Sequence, residues 1–230
     1  MKPAATSSVR SPRTVVRPVR DAERTKATIL AAAVREFARH GLGGARVDRI
    51  AKLAGSNKRM LYYYFSSKEK LFLAVLEKTY ADIRTAEQAL NLLDASPTEG
   101  VRRLIEFTWQ YFIAHPEFLT LLNSENLHQA RHLKRSKRVR EMNSPLIETL
   151  GTLLARGRRD GSFRSGVDPL QLYISIASLS YFFLSNRHTL SRVFGPALFS
   201  AAQRDARLEH MTALVLGYLA RPHAGMAARR

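Results

Sequence analysis

Residues 28–76 read TILAAAVREFARHGLGGARVDRIAKLAGSNKRMLYYYFSSKEKLFLAVL. In this stretch Ile29, Leu30, Ala33, Val34 and Phe37 recur as one apolar helical stripe. The spacing predicts a helix over 22–40, with Gly41 as its C-terminal stop. Val47, Ile50, Ala51 and Ala54 predict a short second helix over 47–54, ended by Gly55. Asn57 stands one residue before a third helix, predicted over 58–64. Its side-chain oxygen suits a free backbone N–H at a helix start. Two short helices joined around a glycine and braced by a longer one make a helix-turn-helix pattern. Ser66 or Ser67 caps a long fourth helix running toward Leu90.

Outward from this stretch, Gly and Pro punctuate segments of helical length and strand-type alternation is absent. Further helices are predicted over 98–114, from Pro116 to Asn123 or beyond, over 136–159, from Asp168 or Pro169 to about 186, and over 204–219. Residues 190–202, which contain Gly195-Pro196, are expected to be irregular. The fold class is therefore all-α: an N-terminal three-helix helix-turn-helix unit (21–70) followed by a larger helical domain (71–222). Residues 1–20 hold three prolines and no acidic residue and are expected to be a disordered basic arm. Residues 223–230 are expected to be a frayed tail.

Composition narrows the functions. The 230 residues carry 37 Lys+Arg against 19 Asp+Glu, a formal charge of +18. Residues 1–70 alone hold sixteen basic and five acidic side chains. Such an excess attracts polyanions, either nucleic acid or an anionic lipid surface. A second basic run, RHLKRSKRVR over 131–140, reads as a solvated face or loop. With no cysteine, a disulfide scaffold, a Cys nucleophile and an iron–sulfur site are excluded. No G-x-S-x-G, P-loop, H-E-x-x-H or paired-carboxylate pattern occurs, so an enzyme is not expected. The longest apolar tract, 170–184, is too short and too interrupted by Gln171 and serines to span a bilayer. With no apolar leader segment, a cytoplasmic protein without membrane association is expected.

Residues 28–76 closely resemble the N-terminal DNA-binding domain of the TetR family of bacterial transcriptional regulators. The resemblance rests on Ile29-Leu30 and Ala32-Ala33 with Phe37 and Gly41; on Val47 with Ile50-Ala51 and Ala54-Gly55; and on Leu61-Tyr62-Tyr63-Tyr64-Phe65 with Ser67-Lys68-Glu69 and Leu71. The later Gly161-Ser162-Phe163-Arg164 and Asp168-Pro169 look like that family's approach to its dimerisation helices. The resemblance implies a regulator, most simply a repressor, that binds a palindromic double-stranded DNA operator as a homodimer and answers to a small-molecule effector. Within the same fold, the alternative is response to a protein partner, or architectural DNA binding.

The third helix would present Lys58, Arg59 and Met60 at its N-terminal end, the end that enters the major groove. Arg59 suits guanine O6 and N7, Met60 a thymine methyl, and Tyr63 a base edge or phosphate. Tyr62 and Lys68 match family positions that bind phosphate. The family commonly has Ser or Thr where the second helix begins, as cap and phosphate contact. Here Ala45-Arg46 stands instead, so Arg46 is the candidate phosphate contact and the cap is left in doubt.

In the larger domain, Leu172, Ile176, Leu179 and Phe183 share one helical stripe, as do Met211, Leu214, Val215 and Tyr218. Both stripes suit monomeric core packing or a four-helix dimer seam, and the resemblance favours the seam. Trp109, Phe112, Asn123, Asn126, His128 and Phe182 are the candidates for an effector pocket. Glu125, His128 and His132 at i, i+3 and i+7 permit a metal site, but a solvated polar face is the simpler reading. No metal and no cofactor is expected.

Overall fold

The computed structural model describes residues 17–220, with side chains from Asp21 onward. Most of the expected arm (1–16) and the tail (223–230) lie outside the described residues. The order is α1 (Arg17–Gly44), α2 (Val47–Leu53), α3 (Lys58–Phe65), α4 (Lys68–Gln88), α5 (Pro97–Ala114), α6 (Pro116–Leu127), α7 (Lys137–Asp160), α8 (Pro169–Ser185), α9 (Arg187–Phe194) and α10 (Ala201–Leu219). Short 3-10 turns lie at Leu92–Asp94, Leu133–Arg135 and Pro196–Phe199. No strand occurs among the described residues; one isolated bridge joins Phe163 to Ala220. The architecture is all-α.

Helix starts follow local chemistry. The side chains of Asn57, Ser67, Ser136, Asp168 and Ser200 each accept a backbone N–H three residues on. Ser96 does the same for Glu99, with Pro97 behind it in the first turn, where its missing N–H costs nothing. Gly41 breaks helical geometry in α1 at φ 63°, and Gly161 ends α7 at φ 83°. Gly157 serves close packing instead: a Cβ there would lie 2.1 Å from Phe163 Cδ2.

Two boundaries differ from the expectations. α1 begins at Arg17, inside the stretch expected to be disordered, because 17–20 continue a helix whose apolar stripe starts only later. Residues 190–202, expected to be irregular, are largely helical: α9 runs to Phe194, Gly195 breaks it at φ 91°, the 3-10 turn follows and α10 starts at Ala201. There Phe199 packs on Phe183 at 4.6 Å between ring centroids. That contact spans sixteen residues, which the local pattern could not reveal.

Three apolar clusters hold the chain together. The first unites α1–α4 around Ile29, Phe37, Ile50, Leu61, Phe65 and Phe72, and takes in Leu121 of α6. The largest gathers α5, α7, α8 and α10 around Trp109, Leu150, Leu153, Ile176 and Met211. Ile83 of α4, Phe112, Phe118 and Leu119 form a small one between them. α4 joins these regions. Its Phe72 belongs to the first cluster and its Ile83 to the third, and it packs along α7.

Candidate nucleic-acid interface

α3 is fixed from below and open above. Leu61 and Phe65 are buried in the first cluster, while Lys58, Arg59, Tyr62 and Tyr63 are exposed and Met60 is half-buried. Asn57 Oδ1 accepts the Met60 N–H at 2.9 Å, so the first turn of α3 is held in register. Tyr63 is 77% exposed and leans edge-on against Tyr64, which packs on the cluster. Tyr63 stands one helical turn from Arg59, and both are exposed. Lys58 Nζ pairs with Asp48 of α2 at 2.5 Å, both side chains exposed. Such a pair contributes little to stability and gives way readily to a stronger anion.

Lys68 stands in the first turn of α4, with Nζ 3.4 Å from the Gly43 carbonyl. It therefore ties the start of α4 to the end of α1, beside the start of α2. Arg46 precedes α2 in extended conformation and gives no side-chain cap. The cap comes from elsewhere. Glu36, 4% exposed on α1, accepts the Arg46 N–H through Oε1 at 2.9 Å. The same carboxylate takes Arg49 Nε at 2.7 Å, and Arg49 Nη2 reaches the Gly44 carbonyl at 3.0 Å. Burial pushes the Glu36 carboxyl up. The hydrogen bonds from Arg49 and the Arg46 amide, with the charges of Arg49 and His40, outweigh it and hold the carboxyl below its ordinary value. A ten-residue reach-back thus replaces the local Ser/Thr cap and leaves the Arg46 side chain exposed. Sequence reading passed over Glu36 and Arg49; the only signal was an acid next to Phe37 on the buried side of α1.

The second basic run is held against this unit. Leu133 packs on its cluster, the His132 ring meets Phe72 edge-on at 5.2 Å, and Ser136 Oγ donates to Glu77 at 2.6 Å. Glu125 is 1% exposed and accepts the backbone N–H of His132 and of Leu133, while its Oε2 lies 2.7 Å from His132 Nδ1. The solvated polar face expected for Glu125, His128 and His132 is therefore corrected. α6 ends at Leu127, the chain turns, and Glu125 and His132 are buried as a clip for that turn. His128 has Nδ1 on the Ser124 carbonyl, and its ring stands edge-on to His132 at 6.1 Å between centroids. Among the described residues, no group of three or more His, Cys, Asp or Glu is placed to hold a metal.

The expected pocket residues do not converge. Trp109 is 1% exposed and packs on Phe183 in the core. Asn126 is exposed at the end of α6, and Phe182 lies on the outer surface of α8 at 60% exposure. Phe112 and Asn123 share a hollow of about 560 Å³, bounded by α5, α6, α8 and α9. The expected seam is likewise split by burial. Leu172, Ile176, Phe183, Met211 and Val215 are buried within the protomer, and Leu179 is half-buried. Leu214 and Tyr218 of α10 are half exposed, as is Ile174 of α8, and Phe182 of α8 is exposed. A stripe periodic enough for either role was taken up by the core of the single chain.

Two family models match this chain. The C-terminal domain described as tetracyclin repressor-like matches residues 97–215, and the N-terminal domain of bacterial regulatory proteins of the tetR family matches 29–75. The chain belongs to the TetR family. It is 43% identical over 191 residues to the HTH-type transcriptional repressor NicS of Pseudomonas putida, covering 83% of this chain and 89% of that protein. It is 27% identical over 191 residues to the HTH-type transcriptional regulator RutR of Escherichia coli O157:H7, covering 83% and 88%. A crystal structure of a TetR family transcription regulator from Marinobacter aquaeolei shares the fold at TM-score 0.66 and 21% identity, covering 89% of this chain and 100% of that one. TetR-family proteins are transcriptional regulators and not enzymes, and the N-terminal match is the DNA-binding domain. Among the described residues, no helix is long and apolar enough to cross a membrane.

Proposed function

We propose that this protein is a repressor that binds a palindromic operator as a homodimer and is released by a small-molecule effector. The observation that carries the reading is the outer face of α3. Lys58, Arg59, Tyr62 and Tyr63 are exposed on a helix whose other side is locked into a core and whose first turn is capped. The N-terminal end of such a helix enters the major groove, where Arg59 reads a guanine and Met60 meets a thymine methyl. Lys58 exchanges Asp48 for the DNA, and Tyr63 takes a base edge or phosphate. Arg46, Tyr62 and Lys68 hold flanking phosphates, which set register without reading sequence. The repressor function of NicS supports the sign of regulation.

One reading head makes few contacts, and a two-fold pair on half-sites about one helical turn apart makes enough. The dimer surface then lies on the outer faces of α8 and α10, with Ile174, Ser175, Ser178 and Phe182 facing Leu214, Gly217 and Tyr218. All of these positions are exposed, and Ser and Gly allow close approach. An effector shifts the operator equilibrium only by its differential affinity for the two states. α4 links the two levels, because its first turn holds Lys68 and its last turns lie in the effector domain.

The test is selection from a random DNA library with purified protein at near-physiological salt. An enriched palindrome with half-sites about one turn apart is expected. Enrichment of no sequence, with binding that disappears as salt rises, would leave only charge attraction and refute operator recognition.

A further inference from the structure

The segment between α6 and α7 and the first turn of α7 carry charge that the reading head does not use. Arg131, Lys134, Arg135, Lys137, Arg138 and Arg140 are all exposed, and no acidic residue stands between Glu125 and Glu141. None of the six forms an ion pair among the described residues. Six like charges within ten residues repel one another, and a free loop would spread them apart. This one is held. Glu125, itself 1% exposed, accepts the backbone N–H of His132 at 2.8 Å and of Leu133 at 2.9 Å. The chain enters that clip through Gln129 and Ala130, both left-handed at φ 56° and 54°, a conformation that residues other than glycine rarely adopt. On the far side, Ser136 caps α7 through the Val139 N–H and donates to Glu77 of α4. A buried carboxylate and two strained residues thus fix a run, 131–140, whose exposed side chains are all cationic.

It is fixed beside the DNA-binding end of the fold. The His132 ring meets Phe72 edge-on at 5.2 Å, and Leu133 packs on the same cluster. Phe72 lies one turn from Lys68 along α4. Ser124 Oγ of α6 stands 3.9 Å from where a Cβ on Gly41 would lie, and Lys68 Nζ reaches the Gly43 carbonyl at 3.4 Å. The turn after α6 therefore borders the end of α1 and the start of α4, the region of Arg46 and Lys68. We infer that residues 131–140 form a second DNA-contact surface, which holds backbone phosphates outside the base pairs that α3 reads. The inference rests on the operator reading above and deepens it, by adding contacts that the helix-turn-helix does not make.

The chemistry of the surface favours a duplex. Double-stranded DNA carries one negative charge per about 1.7 Å of its axis, so a site gripped by α3 offers phosphates well beyond the bases it reads. Lys and Arg side chains are donors only, on long stems, and suit phosphate oxygens. Each contact releases counterions and relieves the crowding of like charge in the run. Such contacts position the protein and carry no sequence information. The apolar residues of the run, Leu133 and Val139, are half-buried, so it presents no apolar face of its own to enter a lipid surface. In a homodimer the surface occurs twice, and each cation removed takes away a contact in both subunits.

The test uses the full chain and the operator recovered by the selection above, within a duplex extended by about one helical turn at each end. Arg131→Gln, Lys134→Gln and Arg135→Gln are combined in one variant. A control of equal charge combines Arg158→Gln and Arg159→Gln, at the opposite end of α7, with Arg192→Gln of α9; all three positions are exposed. Affinity is read by fluorescence anisotropy across a salt series. The run variant should bind roughly tenfold more weakly and lower the salt slope by about two or more, at about 0.9 per phosphate lost. It should still select the same sequence and melt like the parent. The control should stay within roughly twofold of the parent, because distant exposed charges are screened at near-physiological salt. Hydroxyl-radical footprints should show sugars outside the α3 contacts that the parent protects and the run variant leaves open. Unchanged affinity and slope in the run variant, an equal loss in the control, or identical footprints would overturn the inference. So would loss of binding to phosphatidylglycerol vesicles with operator binding intact, which would assign the run to a lipid surface. If the selection enriches no sequence, the operator reading falls, and the same variants on a duplex of arbitrary sequence still decide the run by affinity and salt slope.

Discussion

Replacing Glu36 tests how the reading head is held. Glu36 is nearly buried and its Oε1 accepts from the Arg46 amide at 2.9 Å and from Arg49 Nε at 2.7 Å. A net hydrogen bond to a charged group is worth about 1.5–3 kcal/mol, and a lost helix cap about 1 kcal/mol. Arg49 is 42% exposed, so water recovers much of its share once the carboxylate is gone. Glu36→Ala should therefore destabilise by about 2–3 kcal/mol, a fall in Tm of roughly 5–10 °C for a chain of this size. Glu36→Gln keeps an oxygen for the Arg46 amide and loses only the ionic part, about 1 kcal/mol. The expected order is parent, Gln, Ala, in melting and in operator affinity by fluorescence anisotropy, because α2 sets the position of α3. The pH dependence has a definite sign. The folded carboxyl sits below its ordinary value, so its stabilisation is complete above the unfolded value of 4.5 and is lost as pH falls through the folded one. The gap between parent and Glu36→Ala should close on acidification. An Ala variant melting within about 1 °C of the parent at pH 7 would refute the reach-back cap.

Arg59→Ala should relax base preference at one position of each half-site, at about 1–3 kcal/mol, whereas Lys68→Ala should weaken all sequences alike and lower the salt slope by about one unit. Identical, sequence-independent losses in binding selections would remove Arg59 from base readout. Leu214→Glu should leave a folded monomer in light scattering, while Leu172→Glu, at a position 3% exposed, should unfold the chain; a dimeric Leu214→Glu protein would misplace the seam. Glu87 titrates with the opposite sign to Glu36. Its folded carboxyl lies near 7, above the unfolded value of 4.5, so its contribution is full below 4.5 and is lost as pH rises through 7. Glu87→Gln should remove that loss, narrowing the fall in Tm between pH 5 and pH 8 by roughly 5 °C. Parallel melting curves for parent and variant across that range would show that Glu87 is not perturbed.

Residues 28–76 alone determined the helix-turn-helix, its caps and the exposed end of α3. Those features rest on local rules: apolar spacing, the Asn57 and Ser67 caps and the stops at Gly41 and Gly55 repeat within a few residues. The all-α class followed from the same periodicity. Partnership between distant segments was not legible. An apolar stripe such as Leu172, Ile176 and Phe183 reads the same whether it packs inward or against a second copy, and only tertiary burial assigned it to the protomer core. Glu125 and His132 looked like neighbours on one wet helix face until the chain turned at His128 and closed a buried clip. Arg84 and Glu87 stand at i and i+3, a spacing common to surface ion pairs. Packing against α8, whose Tyr173 hydroxyl accepts from Arg84, takes them out of water, and that alone turns a common helical pattern into a buried ion pair with unfilled hydrogen bonds among the described residues.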